Sequence, residues 1–446
     1  VVEKIDDYTV AFRFEDPNGP FLGKMATILG SDVTAAPAHF LRPYHPTIGD
    51  PEVIEAAMRE KQMPTRRALY AAVKAWDNPE HPRMWPYLYR SYKGNPPFVW
   101  VRNPYYFAVD PEGNQLPYLD RVLFLVKTQD LIPIAAANGE FTTAGATLEH
   151  FTIIMNQREK GDYNVRFYSF GGGVASAIYP NQTKRRTPAD PDAAKKEALF
   201  RDKRFRQALS LAVNREALIE VEYGGLTEAA QQSPSPTSPY FNERLYSAFI
   251  EYDPVRANAL LDAMDLTRRD AEGYRTFRDG TPMTLTMSYI QGSVMKGGMA
   301  QSIVEDWAAV GIRVIYKERG TRLYYIEREG MLHDLLVAGS NGDDYPLLNP
   351  RAYVPEFGSY YAPAWGYWNQ RGGFYGVDFS DQPLVFPPPE GHPLMETIRI
   401  YDQVIQTFDR EEQAERFQEI LDIAAENTWS IGLSSPTPRK KKKKNG

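Results

Sequence analysis

Residues 339–373 read GSNGDDYPLLNPRAYVPEFGSYYAPAWGYWNQRGG, and they gather in one stretch the side chains that can grip a polar solute without reacting with it. Tyr360, Tyr361, Trp365, Tyr367 and Trp368 offer aromatic faces on which the C–H side of a sugar ring can stack, while Asn341, Asp343 and Asp344 can take hydroxyls around its edge. Packing of Trp365 and Trp368, three apart, onto the body of the protein is an equal reading of the same residues. The stretch has little helical or strand period and is expected to be a long ordered loop, a kind of segment that commonly carries function. It follows an apolar strand at 334–338, and in α/β folds ligands sit where loops leave strand ends.

A second candidate wall is FYSFGGGVASAIYPN at 167–181, with Phe170, Gly172, Tyr179 and Asn181 as contacts. Its three glycines, Gly171 to Gly173, leave backbone amides bare and allow close approach of a ligand. A phosphate-cradling loop fails as a reading, because no Gly-Lys-Ser/Thr follows and no helix-forming run begins there. Gln291, just past a strand at 283–289, is a further polar contact whose reading as an ordinary turn residue is the commoner one.

Reactive chemistry finds little support. The six histidines are scattered, and His39 and His45 are six apart in a proline-containing loop, which is no metal spacing. There is no Gly-x-Ser-x-Gly elbow, and cysteine is absent, which removes thiolate chemistry and Cys-ligated zinc. Acid pairs such as Asp6-Asp7 and Asp343-Asp344 are adjacent in sequence, whereas a glycosidase needs two carboxylates facing each other across a bond. The expectation is a binding protein with no catalytic residue, no metal and no cofactor.

The elements that must carry these residues follow from periodicity. At 199–219, LFRDKRFRQALSLAVNREALI predicts two short consecutive helices, capped by Asp202 and Asn214, with Phe205, Ala208, Leu209 and Ala212 on the first helix's apolar face. A helix is expected at 51–61, strands at 98–101 and 121–126, and a helix at 132–138. From about 166 to 432 strands and helices alternate, as α/β folding requires. With 446 residues, 43% hydrophobic and 13% aromatic, the chain can fill cores for several domains.

The run at 199–219, followed by Tyr223-Gly224-Gly225 and SPSPTSPYF at 233–241, resembles the extracellular solute-binding proteins of family 5, the oligopeptide-binding receptors of ABC importers. Other segments agree in the order that family requires: IDDYTVAFRFEDPNGPFL (5–22), NPYYFAVDPEGNQLPYLDRVLF (103–124), YDPVRANALLDAM (252–264), DGTPMTLTM (279–287), WAAVGIRV (307–314), HPLMETIRIYDQVIQ (392–406) and AAENTWSIGL (424–433). The resemblance implies a two-lobed α/β periplasmic-binding-protein-like fold of the large three-domain type. Residues 1–95 would then be the remainder of the second lobe, 96–165 part of the first, and 166–433 the large third lobe with its closing helices.

It also implies a function: capture of a short peptide by Venus-flytrap closure of the lobes and delivery to ABC permease subunits, from the periplasm or as a cell-surface lipoprotein. In peptide-binding relatives an acidic residue of the loop holds the ligand's α-amino group, a place held here by Asp343 or Asp344. The usual Trp-x-x-Asp has become Ser340-Asn341-Gly342-Asp343, so an oligosaccharide is the alternative ligand, and a glycoside hydrolase on the same scaffold a remote third. The receptor is expected to be a monomer.

The resemblance places residues 9–14 well inside the family's sequence, so the chain is expected to be N-terminally truncated. At the other end, 434–446 carry Arg439 and the lysines Lys440 to Lys444 and are expected to be a solvated tail. The formal net charge is −6, and without those six residues the body is more acidic still, a poor match for nucleic acid.

Overall fold

A computed structural model describes residues 1–436 apart from 28–29, 92–95, 129–130, 146–149, 167–172, 294, 296 and 341–343. Contacts divide the chain into two units, one of Val1–Pro20 with Pro133–Gly446 and the other of Phe21–Ile132. In the first, β1 (Val2–Lys4) and β2 (Val10–Phe12) form an antiparallel hairpin. The second unit holds an antiparallel sheet of β3 (Tyr87–Tyr89), β4 (Phe98–Arg102) and β5 (Arg121–Phe124). Two capped helices, Pro51–Glu60 behind Asp50 and Arg66–Lys74 behind Thr65, close its small core of Leu41, Ile54, Ala57, Leu69 and Val73.

The centre of the first unit is a mixed five-stranded sheet built from β6 (Ser176–Pro180), β7 (Thr284–Ile290), β8 (Arg313–Arg319), β9 (Leu335–Ala338) and β10 (Ile431–Ser434). Its order is β10-β6-β9-β7-β8, with β6 antiparallel to both neighbours and β7 parallel to β8 and β9. Alternate residues along a strand face opposite sides, and the two cores sort accordingly. Ile178, Leu285, Met287, Leu335, Val337, Ile431 and Leu433 join Phe205, Leu209 and Trp307 in one core, and Trp307 Nε1 donates to the Leu209 carbonyl at 2.9 Å. Ala177 and Tyr179 join Trp365, Tyr401, Phe417 and Trp429 in the other, under the helices Pro393–Gln406 and Arg410–Asn427.

The two caps expected from sequence form as drawn. Asp202 accepts from the Arg204 amide and opens the helix Lys203–Leu211, and Asn214 accepts from the Ala217 amide and opens Arg215–Tyr223. Residues 339–373, expected to be loop throughout, contain a helix, Pro363–Gln370. Proline at its first turn is preorganised for a helix start, and Gly366 lets the backbone of Glu356 approach where a β-carbon would lie 2.2 Å from the Glu356 carbonyl oxygen. The aromatic composition hid an element stabilised by packing rather than by propensity. Arg439 and Lys440 to Lys444 lie outside the described residues.

Candidate functional site

β7, β8, β9 and β10 all run the same way and β6 runs against them, so the ends at Ile290, Arg319, Ala338 and Ser434 and the start at Ser176 share one edge of the sheet. The loops expected to bind solute leave from here: Gly339 follows β9, Gln291 follows β7, and the glycine run precedes β6. Gln291 is exposed, with its amide bonded to the Arg319 carbonyl at 3.0 Å. Phe170, Gly172, Asn341 and Asp343 lie outside the described residues.

A strap, residues 227–238, crosses this edge, touching strand after strand. The Ser435 amide donates to the Glu228 carbonyl at 2.7 Å, and the Gly432 amide to Gln231 Oε1 at 2.7 Å. The buried Arg215 donates from Nε to the Gly432 carbonyl at 2.8 Å, and burial pushes its guanidinium pKa down to about 9. Two glycines make the fit possible. A β-carbon on Gly432 would sit 2.4 Å from the Ala230 carbonyl oxygen, and one on Gly173 2.1 Å from that of Ser233. The glycine expected to admit a ligand thus admits the chain's own backbone at Gly173.

Beyond Gly173 the strap reaches the loop after β9. Tyr179 Oη lies 3.1 Å from both Gln232 Oε1 and the Gly339 carbonyl oxygen, and Gln232 Nε2 donates to Ser340 Oγ at 2.9 Å. The Ser235 amide donates to Asp344 Oδ1 at 2.8 Å, and Ser238 Oγ donates to the Asp344 carbonyl. Asp344 is therefore engaged in holding the loop. Gln232, Ser235, Ser238 and Ser340 were not among the sequence candidates; Ser235 and Ser238 lie in the serine-proline run and Ser340 in the loop after β9, and neither segment gives any hint of its partners.

The aromatic candidates separate. The Tyr360 ring stands 5.1 Å from that of Tyr179 and 6.4 Å from that of Tyr324, with the Arg328 guanidinium 5.4 Å from its centroid, and it remains half-buried. Burial raises its hydroxyl pKa, which keeps the group a neutral hydrogen-bonding partner. Tyr361 and Trp365 are both 0% exposed, Tyr361 stacked on Trp429 and Trp365 against His392 with Arg201 over its ring. These two pack the core. Trp368 is half-buried, its indole so close to Gly373 that a β-carbon there would lie 2.2 Å from Nε1.

Asn181 is placed at the opposite end of the sheet from Gly339. Fully buried, it donates to the Met331 and His333 carbonyls at 3.2 and 3.0 Å and accepts from the Thr183 amide at 3.0 Å. That end is locked by charge. Asp334 meets Lys184 at 2.7 Å and Lys196 at 3.2 Å and accepts from the Thr286 amide at 2.9 Å, while Asp190 meets the same two lysines at 3.0 and 3.1 Å. Burial opposes the charged form of Asp190, but hydrogen bonds from Lys184 and Lys196 outweigh it and hold its pKa low. Two acids and two bases cancel, fixing where β9 starts and so where its loop leaves.

Residues 1–357 match the family described as bacterial extracellular solute-binding proteins, family 5 Middle. The chain belongs to that family. A periplasmic alpha-galactoside-binding protein of Rhizobium meliloti (strain 1021) is 23% identical over 97% of this chain, which spans 59% of that relative's length. Among solved structures, an oligopeptide-binding protein OppA is 32% identical with a TM-score of 0.61, covering 98% of this chain and 70% of its own. The periplasmic binding protein MelB of Agrobacterium fabrum C58, in complex with stachyose, is 20% identical with a TM-score of 0.72, covering 98% of this chain and 62% of its own. The fold is thus the α/β fold of two-lobed periplasmic binding proteins. In this family-5 chain no helix among the described residues is long and apolar enough to cross a membrane.

Proposed function

We propose that this chain is the solute-capturing component of an ABC importer, working outside the cytoplasmic membrane, and that its solute is a short oligosaccharide. The observation that carries the reading is the neutral polar character of the sheet edge: the partly exposed Ser340 and the half-buried Tyr360 ring, held from beneath by the buried Tyr179 hydroxyl and Gln232 amide. Hydroxyls, amides and a π face are the chemistry that sugar recognition uses. The relative named for alpha-galactosides, matched over 97% of this chain, and the fold of the stachyose-bound protein support the same reading.

A short peptide is the second reading, favoured by the 32% identity to an oligopeptide-binding protein. Asp344, the described member of the acidic pair, already accepts from the Ser235 amide, which makes it a weaker partner for a ligand ammonium. Capture needs no covalent step: solute stabilises the closed form through its better contacts there, and the permease takes the solute from that form. Calorimetry with raffinose and stachyose against di- to pentapeptides separates the readings. Heat of binding with the sugars alone supports the first, with the peptides alone the second. Cleaved sugar in the recovered sample, seen by mass spectrometry, would overturn both.

A further inference from the structure

The strap is held to the strands by backbone fit at Gly432 and Gly173, but to the loop after β9 by side chains, and one of them stands between the two candidate walls. Gln232 is 3% exposed, and its amide spans a gap: Oε1 faces Tyr179 Oη on β6 at 3.1 Å and Nε2 reaches Ser340 Oγ on the loop at 2.9 Å. Tyr179 in turn contacts the Gly339 carbonyl at 3.1 Å and the Tyr360 ring at 5.1 Å. A buried amide that meets a hydroxyl at each end ties the two together whichever way it is turned, because each hydroxyl can donate or accept. Its neighbour Ser233 is pressed against Gly173, so the amide is carried by backbone that cannot back away.

We propose that Gln232 is a positioning residue of the solute site, fixing the loop that leaves β9 against the buried Tyr179 of β6 so that Ser340 and Tyr360 stand ready for the solute. This role rests on the function proposed above. It predicts that Gln232 acts through Ser340, so that the two residues count once, not twice, in affinity.

The test uses the full chain with Gln232→Met, which keeps the length of the side chain but neither polar atom, Gln232→Glu, which can still accept from both hydroxyls, and Ser340→Ala, alone and paired with Gln232→Met. Raffinose and stachyose affinity and dissociation rate are measured beside thermal unfolding. The expected result is a fall in affinity of about five- to tenfold in Gln232→Met, seen as faster dissociation, with a smaller fall in Gln232→Glu. In the Ser340→Ala background Gln232→Met should cost markedly less. Unchanged affinity with a lowered melting temperature would show a purely structural residue and overturn the proposal, as would an equal loss in both backgrounds. A wild-type chain that binds peptides but neither sugar overturns the choice of solute alone, and the same comparison of variants, run with the bound peptide, then decides on Gln232. A wild-type chain that binds neither sugars nor peptides overturns the function and the role of Gln232 with it.

Discussion

Tyr179 and Gly339, 160 residues apart, meet where the Tyr179 hydroxyl stands 3.1 Å from the Gly339 carbonyl oxygen. That contact ties the interior strand β6 to the first residue of the loop after β9, in addition to the strand pairing that sets Tyr179 opposite Leu336. Tyr179→Phe removes the hydroxyl and leaves the ring in place. The expected cost is about 1–2 kcal/mol of unfolding free energy, from a buried hydrogen-bonding group left unmet, together with weaker solute binding. Urea titration and calorimetry on one preparation check both. A variant as stable as the parent would show that the contact contributes nothing net.

The charge box at the other end of the sheet is expected to be intolerant of losing one member. Lys184 is buried and bridges Asp190 and Asp334, so Lys184→Met leaves Asp334 with Lys196 as its remaining cation. Breaking a buried pair this way typically costs about 3–5 kcal/mol. Denaturant midpoints should show the loss, and adding Asp334→Asn should recover part of it. Two independent, fully additive losses would contradict a coupled box.

Trp365 and Tyr360 are expected to part company when truncated. Trp365 is 0% exposed among His392, Arg201 and core side chains, so Trp365→Ala opens a cavity and should lower stability by about 3–5 kcal/mol. Its effect on affinity, scored on the folded fraction, should be small. Tyr360→Ala should do the reverse, weakening sugar binding more than it lowers the unfolding midpoint. The opposite pattern would place the stacking ring at Trp365.

Acidification is expected to destabilise the protein through two buried histidines. His333 and His392 each have a pKa lowered to about 4, chiefly because burial disfavours the imidazolium; for His392 the nearby charges of Arg206 and Arg201 add to this. In the unfolded chain both take up protons below about 6.5. Between roughly pH 6.5 and 4 the unfolded state therefore binds more protons, and stability falls as pH falls, by at most about 1.4 kcal/mol per pH unit for each histidine. Below about 4 this contribution levels off. Urea midpoints between pH 7.5 and 4.5 test it, and a flat profile over that range would refute it.

What could be read along the chain was local. Asp202 and Asn214 were legible as caps because a cap bonds amides two or three residues away, and the apolar face at Phe205, Ala208 and Leu209 was legible because helical period is a short-range property. The family could be read for the same reason, as a series of short segments in order. The strap was not legible: Gln232 reaches Ser340 across 108 residues, and Gly432 reaches Gln231 across 201, distances at which composition says nothing about neighbours. Nor could spacing tell Tyr360, half-buried beside Tyr179, from Trp365, sealed in the core, or show that Asn181 would serve the far end of the sheet. Residue type decides what a side chain can do. Which side chains stay open to a solute is decided by strand order and close packing, which choose what to bury, because burial depends on partners far away in the chain.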